Sequence, residues 1–313
     1  MNKEQFDIGG RKEDIANLSA IKPFATFGQS IKDFVALVKF RLTITVVFSS
    51  IIAYLIAVSG TIAWLNVIVL AIGGFFVTAA ANTLNQVLEK DYDKLMKRTA
   101  DRPLAAGRMK ISEAVLLAGF MSLIGISLLA LFNPWTAFLG TFSLVAYAFV
   151  YTPMKRVSPA AITMGAIPGA LPTLIGVVAA QGTLGWLGLI LFAIQFCWQF
   201  PHFWSIGFLG YEDYSKAGFK FIPEVDGQLD IKRMGHQSLG FALLLIPLGL
   251  LPFLLGQTGI FSAILVTFLG ITYSYFAFGF LKKPERKTAL QLMFFSFGYI
   301  PFSLLLFWGD KLM

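Results

Sequence analysis

Five long stretches of the chain carry no charged residue and consist mainly of apolar side chains. They cover residues 42–88, 114–154, 157–211, 234–281 and 288–309. A helix that crosses a membrane needs about 20 apolar residues, so the first four stretches are each long enough for two helices and the last for one. Turn-forming residues lie near the middle of each of the four, at 59–60, 133–134, 181–183 and 256–259.

The pattern predicts an all-α, polytopic membrane protein with nine transmembrane helices. The predicted helices lie at about 42–59, 62–85, 113–132, 135–152, 158–180, 184–208, 236–255, 260–281 and 289–308. Residues 1–31 are polar and lack the features of a signal or transit peptide, so we expect them to form a polar N-terminal segment. Residues 32–313 are expected to form one nine-helix domain.

The composition agrees with a membrane protein and excludes two other classes. Apolar residues make up 57% of the 313 residues and charged residues only 13%. A soluble domain carries about 25% charged residues, and a disordered chain has few apolar ones. The single cysteine, Cys197, excludes a disulfide within the chain and a cysteine-based metal centre.

The charged residues predict how the helices are oriented. With nine spans, 24 of the 25 Lys and Arg residues and 16 of the 17 acids fall on one side, and only Asp310 and Lys311 fall on the other. The positive-inside rule then places the N-terminus and the charged loops in the cytoplasm. The net charge of +8 is therefore interpreted as a topology signal and part of an anion site, not as a nucleic-acid surface.

An acidic cluster follows the second predicted helix. Asn85, Glu89 and Asp93 are spaced at i, i+4 and i+8, which places them on one helix face. Carboxylate and amide oxygens suit Mg²⁺, which proteins hold through one or two carboxylates together with substrate phosphates. Asp91 lies on the opposite face and is expected to be solvated.

Cations lie close to this cluster in the sequence or on the same predicted side. Arginine binds phosphate in a bidentate manner, so Arg98 and Arg102 next to the carboxylates indicate a clamp for a metal and a diphosphate. Lys155 and Arg156 end the helix predicted at 135–152, where they fit either a diphosphate site or a positive-inside anchor. Lys39 and Arg41 at the start of the first helix are open to the same two interpretations.

A second acidic pair and a histidine lie at or near the end of the sixth predicted helix. Glu212 and Asp213 emerge on the same side as the first cluster, where they form either the other half of a metal site or an ordinary solvated loop. His202 lies in an aromatic segment at membrane depth. It is either a substrate contact or a packed histidine bonded to a carbonyl that Pro201 leaves free. His236 is expected at the interface.

Four motifs can be written out from these residues. They are Asn85-x-x-x-Glu89-x-x-x-Asp93, Arg98-Thr-x-x-Arg102-Pro-Leu, Gln199-Phe-Pro-His202-Phe-Trp204 and Asp213-Tyr-x-x-Ala-Gly218. They resemble the motifs of the UbiA-type intramembrane prenyltransferase superfamily, and within it the protohaem IX farnesyltransferase (haem O synthase) branch. The resemblance covers about residues 32 to 308.

The sequence departs from the usual pattern at three positions. Gln86 and Glu89 stand where the superfamily has two aspartates, and Ala217 stands where a second-motif acid is missing. Whether Glu212 compensates is left open.

The resemblance implies a Mg²⁺-dependent transfer of a farnesyl group from farnesyl diphosphate to a vinyl group of haem B, giving haem O. It implies a location in the bacterial cytoplasmic (inner) membrane. The expected partners are the lipid bilayer and a downstream haem A synthase, and no nucleic acid is expected. The implied catalytic and metal residues are Asn85, Glu89, Asp93 and Asp213. The implied diphosphate-binding residues are Arg98, Arg102, Lys155, Arg156 and Arg41, and His202 is the implied haem contact.

Two alternative functions stay open at this point. A related enzyme would prenylate a quinone precursor such as 4-hydroxybenzoate, and only the Pro-His-Phe-Trp segment at 201–204 argues against it. A secondary transporter for an anionic substrate is disfavoured because transporters bind their substrates near the membrane midplane, whereas nearly all charge here lies at one surface.

Overall fold

The structure, a computed structural model, describes residues 27–311 and is almost entirely helical. A short antiparallel hairpin of β1 (Glu224–Val225) and β2 (Gln228–Leu229) is its one two-stranded sheet within this range. The helices are α1 (Phe27–Leu37), α2 (Phe40–Ala57), α3 (Trp64–Asp93), α4 (Ile111–Ala130), α5 (Pro134–Met154), α6 (Ala161–Gln181), α7 (Trp186–Leu209), α8 (Tyr211–Lys216), α9 (Ile231–Leu254), α10 (Ile260–Lys282) and α11 (Arg286–Gly309). Most of the predicted polar segment 1–31 lies outside the described residues.

The prediction of nine membrane-spanning helices is confirmed for residues 27–311. Helices α2 to α7 and α9 to α11 are long and apolar enough to cross a membrane. The largest differences from the predicted bounds lie at charged ends. Helix α3 does not end with the apolar stretch, and its helical hydrogen bonds continue through charged residues to Asp93. Helix α9 begins at Ile231 because the Asp230 carboxylate caps it, accepting a hydrogen bond from the Arg233 backbone N–H at 3.0 Å.

The corner between α1 and α2 is held by side chains of α3. Lys39 at this corner adopts a left-handed backbone conformation with φ of 49°, which is unusual for a residue other than glycine. The carbonyls of Ala36 and Leu37 both accept hydrogen bonds from the Gln86 amide, at 2.9 and 2.7 Å. These bonds satisfy two carbonyls that have no helical partner at the end of α1. They also fix the position of the backbone from which the Lys39 side chain extends.

Helix α6 is the most buried of the nine spans and packs against α2, α5 and α7. At Gly176 the backbones of α6 and α2 approach so closely that an added Cβ would overlap the Ser50 carbonyl. Small residues allow such close helix contacts in membranes. Helices α7, α9, α10 and α11 pack in turn, and α11 returns to contact α2, which closes the bundle.

Helix α5 contains a π-helical turn over Ala146–Tyr151, just before its charged end. Such a turn adds one residue to the helix and is common at functional sites. Thr152 follows directly, and its hydroxyl donates a 2.9 Å hydrogen bond to the carbonyl of Tyr147, five residues earlier. The turn determines which residues of the last part of α5 face α3.

At the opposite end of the bundle, the described part of the chain places two charged side chains, both near the end of α11. The Asp310 carboxylate accepts a 2.6 Å hydrogen bond from the Ser262 backbone N–H in the first turn of α10. The Lys311 ammonium donates to the carbonyls of Leu55 and Val58 at the end of α2. Both charges therefore bind backbone groups that the helix ends leave open.

Candidate functional site

Three oxygen-bearing side chains of α3 point into the bundle, as the spacing predicted. Asn85, Glu89 and Asp93 are each 1–3% exposed, although two of them carry charge. Asp91 is exposed on the other face of the helix, where it pairs with Lys94 at 3.1 Å. A buried carboxylate needs a compensating partner, so the surroundings of Glu89 and Asp93 explain how the structure tolerates them.

Each of the three side chains contacts a different cation. Asp93 accepts two hydrogen bonds of 2.8 Å from the Arg102 guanidinium, and Glu89 forms an ion pair with the Lys155 ammonium. The Asn85 carbonyl oxygen accepts a 2.7 Å hydrogen bond from the Lys39 ammonium. These cations come from the α1–α2 corner, the loop after α3 and the end of α5. We call these six residues the ion cluster.

The ion cluster carries an excess of positive charge. Lys39, Arg102 and Lys155 face only two carboxylates, so an anion would be stabilised there. Burial, reinforced by the neighbouring charges of Arg102 and Lys155, lowers the pKa of Lys39 to about 7. Part of the cation charge is therefore not balanced by the two carboxylates, which suits the site to a multiply charged anion such as a diphosphate.

The turn of α5 fixes the amide of Asn85. The Asn85 amide donates a 3.0 Å hydrogen bond to the hydroxyl of Thr152, the residue that follows the π-helical turn. The carbonyl oxygen of Asn85 is thereby the atom that faces Lys39. One helical turn further on, the Lys155 ammonium lies 4.9 Å from the ring centre of Tyr151 and 5.6 Å from that of Phe219.

The oxygen donors of the ion cluster fit a hard divalent cation only in part. Asn85, Glu89 and Asp93 offer oxygen ligands from one helix face, as Mg²⁺ requires. Between residues 27 and 311, however, no three His, Cys, Asp or Glu side chains lie close enough to hold a metal ion together. Glu89, Asp93 and Asp213 therefore do not form such a group in this structure, and a bound phosphate would supply further ligands.

The second predicted acidic pair lies on the short helix α8. Glu212 is exposed and pairs with Lys216 at 3.6 Å, which matches the interpretation of a solvated loop. Asp213 is half-buried. The helix is tied to the loop after α3, because Arg98 donates a 2.9 Å hydrogen bond to the Tyr214 hydroxyl. The structure thus brings α8 beside this loop without placing Asp213 in the ion cluster.

Two of the other predicted cations behave differently. Arg156 donates a 2.6 Å hydrogen bond to the carbonyl of Leu88, and its guanidinium lies over the ring of Tyr92. Arg41 is exposed, and its guanidinium makes no hydrogen bond or ion pair with the described part of the chain. The cation from this region that reaches the ion cluster is Lys39, which the sequence offered together with Arg41, although only Arg41 was implied to bind the diphosphate. Its left-handed corner conformation leaves no mark in the sequence.

A cavity of about 260 Å³ extends into the bundle next to the ion cluster, and its lining is mainly apolar. Helices α2, α3, α5, α6, α7 and α11 supply most of its walls, and α4 adds Leu129. Asn82, less than one turn before Asn85, lines the cavity together with Tyr147 and Tyr151. The opposite wall includes Trp198 and His202. The arrangement places the charged ion cluster beside a largely apolar chamber, which suits an amphiphilic substrate with an anionic head.

His202 lies in the cavity wall with an aromatic environment. Its ring stacks on Trp198 with centroids 5.0 Å apart, and its Nδ1 lies 2.7 Å from the Ser296 hydroxyl oxygen. The alternative prediction, a hydrogen bond to a carbonyl freed by Pro201, is not what the structure has. His236 is exposed, and its Nδ1 lies 2.7 Å from the carbonyl of Lys232.

Comparisons of the sequence with known proteins show one family over most of the chain. The pattern of the UbiA prenyltransferase family matches residues 46–298. The protohaem IX farnesyltransferase of Cytophaga hutchinsonii is 44% identical over 277 residues, covering 88% of this chain and 96% of that protein. The protein of the same name from Flavobacterium johnsoniae is 40% identical over 301 residues, covering 94% of this chain and 99% of its own.

Solved structures share the fold at low sequence identity. The structure of digeranylgeranylglyceryl phosphate synthase has a TM-score of 0.75 and 22% identity, with 90% of this chain and 98% of that one covered. A UbiA homologue from Archaeoglobus fulgidus bound to GPP and Mg²⁺ has a TM-score of 0.64 and 15% identity, with 88% and 99% covered. These likenesses confirm the architecture of the bundle.

Proposed function

This chain belongs to the UbiA prenyltransferase family, and we propose that it transfers a farnesyl group from farnesyl diphosphate to a vinyl group of protohaem IX, giving haem O. The observation that carries the proposal is the buried ion cluster beside an apolar cavity. The names of the two bacterial relatives supply the substrates. The protein is an integral, multi-pass membrane enzyme.

The diphosphate would bind by exchange of ion partners. In the structure, Arg102 and Lys155 neutralise Asp93 and Glu89. With a diphosphate and its metal ion bound, the two carboxylates would hold the metal and the two cations would bind phosphate oxygens. Lys39 would add a cation from the α1–α2 corner, and Arg98 and Arg156 would add positive charge beside the ion cluster.

Asn85, Glu89 and Asp93 would hold Mg²⁺, with phosphate oxygens filling the remaining positions. Asp213 is proposed to join this set from α8, which Tyr214 ties to Arg98. The bound ion would neutralise the charge that develops on the departing diphosphate. The UbiA homologue solved with GPP and Mg²⁺ supports this pairing of a prenyl diphosphate with the metal.

The cavity would hold the prenyl chain and protect the reactive carbon. The allylic C–O bond breaks, the diphosphate leaves with the electron pair, and the carbocation remains in a chamber whose apolar lining limits access of water. The faces of Tyr147, Tyr151 and Trp198 in the wall favour positive charge. The vinyl π electrons of the haem form the new C–C bond, and water captures the second cation with loss of a proton.

The orientation and the cellular setting follow from the charges. We propose that the end of the bundle with the ion cluster faces the cytoplasm, because nearly all Lys and Arg residues lie there. Farnesyl diphosphate would reach the site from that side. The proposed location is the inner membrane of a bacterium, where a haem A synthase would use the product.

A reconstituted assay tests the proposed function. The full-length protein in lipid nanodiscs is incubated with farnesyl diphosphate, haem B and Mg²⁺, and the haem products are analysed by mass spectrometry. We expect a haem heavier by one farnesyl group and one hydroxyl group, and no product when EDTA replaces Mg²⁺. Turnover of 4-hydroxybenzoate without turnover of haem would contradict the proposal and favour a quinone-precursor enzyme.

A further inference from the structure

The imidazole of His202 is held in one orientation by contacts from two helices. It stacks on Trp198 of its own helix with an interplanar angle of 16°, and the edge of Phe297 of α11 lies 5.2 Å from it, centroid to centroid. The Trp198 indole N–H donates a 2.7 Å hydrogen bond to the backbone carbonyl of Ser296. The tryptophan is thereby tied to α11, and the histidine ring that stacks on it cannot turn freely.

The hydroxyl of Ser296 determines which nitrogen of His202 carries the proton. A serine hydroxyl has a single hydrogen to donate. That hydrogen goes to the carbonyl of Met293, since the two oxygens are only 2.5 Å apart and would repel each other without it. The Ser296 oxygen is therefore an acceptor for the nitrogen 2.7 Å away, and Nδ1 of His202 carries the proton.

The neutral ring then leaves Nε2 with a free lone pair. Nε2 makes no hydrogen bond with residues 27–311. The Tyr299 hydroxyl also lacks a partner, but it is fully enclosed by protein atoms, whereas Nε2 of His202 is not. His202 itself forms part of the cavity wall. An unprotonated and unpartnered imidazole nitrogen on a residue of a cavity wall, with the other nitrogen bonded to a neighbouring side chain, is the usual arrangement of a histidine that binds a metal ion.

We propose that Nε2 of His202 is an axial ligand to the iron of the haem acceptor and that Ser296 is the positioning residue that makes this nitrogen available. The proposal rests on the proposed function, because it takes haem as the acceptor. Imidazole is a common ligand of haem iron. Ligation from the cavity wall would hold the macrocycle inside the bundle while the farnesyl cation forms.

Haem binding to the full-length protein in nanodiscs tests the proposal through its optical and electron paramagnetic resonance spectra. Haem B bound to the unaltered protein should show an imidazole-ligated spectrum. His202→Ala should abolish that signature, and added imidazole should restore it. His236→Ala, at the exposed histidine, should leave it unchanged. An imidazole-ligated spectrum that survives in His202→Ala would overturn the proposal.

The role of Ser296 is tested by its own matched pair of variants. Ser296→Ala should weaken haem binding roughly tenfold, as loss of the partner that orients a ligand does, whereas Ser296→Thr keeps a hydroxyl and should restore it. Equal haem affinity in the alanine variant and the unaltered protein would contradict the positioning role.

Iron-free protoporphyrin IX separates the ligand role from a general packing defect. Its binding should not change in His202→Ala or Ser296→Ala, because no iron is present to ligate. A parallel loss of porphyrin and haem binding would show a collapsed cavity and overturn the assignment. Haem ligation by His202 without formation of a farnesylated haem would contradict the proposed function and leave the ligand assignment standing.

Discussion

The two ends of the bundle handle charge in different ways. At one end, Glu89 and Asp93 are buried against the side chains of Lys155 and Arg102. At the other end, Asp310 and Lys311 bind backbone groups of α10 and α2. A backbone group cannot move away to another partner without unwinding its helix, but two side chains can separate when each finds a new ion. Charges paired with each other beside a cavity are thus available for ligand binding, and charges paired with helix ends stabilise the fold.

The largest expected effect on turnover comes from removing a charge whose ion partner is proposed to change when substrate binds. Asp93→Asn should lower turnover by about 10³-fold, because the charge that holds Mg²⁺ is lost. Turnover of farnesyl diphosphate and haem B by the reconstituted protein measures it. Asp91→Asn changes an exposed acid two residues away on the same helix and should keep turnover within about twofold of the unaltered protein. Full activity in Asp93→Asn would refute the metal assignment.

Substitution of Asp213 tests whether α8 also supplies a charge whose ion partner changes when substrate binds. If Asp213 joins the metal when substrate binds, Asp213→Asn should lower activity by about 10²-fold and raise the Mg²⁺ concentration needed for half-maximal turnover. Glu212→Gln, which removes only the exposed partner of Lys216, should have no such effect. The reverse order of the two variants would show that Glu212 supplies the second acid.

Lys39 and Arg41 form a matched pair at the α1–α2 corner. Lys39→Met removes the cation that contacts Asn85 and should weaken binding of a non-reactive farnesyl diphosphate analogue roughly tenfold, the value of one charge-assisted hydrogen bond. Arg41→Met removes an exposed cation and should leave the dissociation constant almost unchanged. Isothermal titration calorimetry measures both constants, and an equal loss in the two variants would mean that only net charge matters.

The smallest effect on activity is expected at the opposite end. Asp310→Ala removes the carboxylate that caps α10 and should lower the free energy of unfolding by about 1 kcal/mol, with turnover within twofold of the unaltered protein. A thermal unfolding series in detergent gives the shift in Tm. A variant that keeps its Tm but loses activity would contradict the division between the two ends.

The sequence predicts the helices well because charge and turn residues mark where apolar stretches end. Nine of the described helices correspond to the nine predicted spans. The amphipathic helix α1 was not predicted, since its apolar residues are interrupted by Lys32 and Asp33. The prediction also ended α3 too early, because a helix does not stop where its residues become polar.

The candidate site is predictable only where its residues are periodic along one helix. Asn85, Glu89 and Asp93 could be found from spacing alone. The choice of Lys39 over Arg41 depends on one left-handed backbone conformation, and the contact of His202 with Ser296 joins residues 94 positions apart. Such contacts are set by helix packing, which a single sequence does not encode in any local pattern.

The π-helical turn of α5 acts as a spacer between two faces of the helix. Successive residues of an α-helix are turned by about 100°, so one inserted residue rotates everything beyond it by that angle. Ser143, before the turn, lines the cavity, and Lys155, after it, still reaches Glu89. Removing one residue from Ala146–Tyr151 would restore a regular helix and swing Lys155 away from α3. The length of this turn, and not only the identity of its residues, therefore keeps the cation in register with its carboxylate.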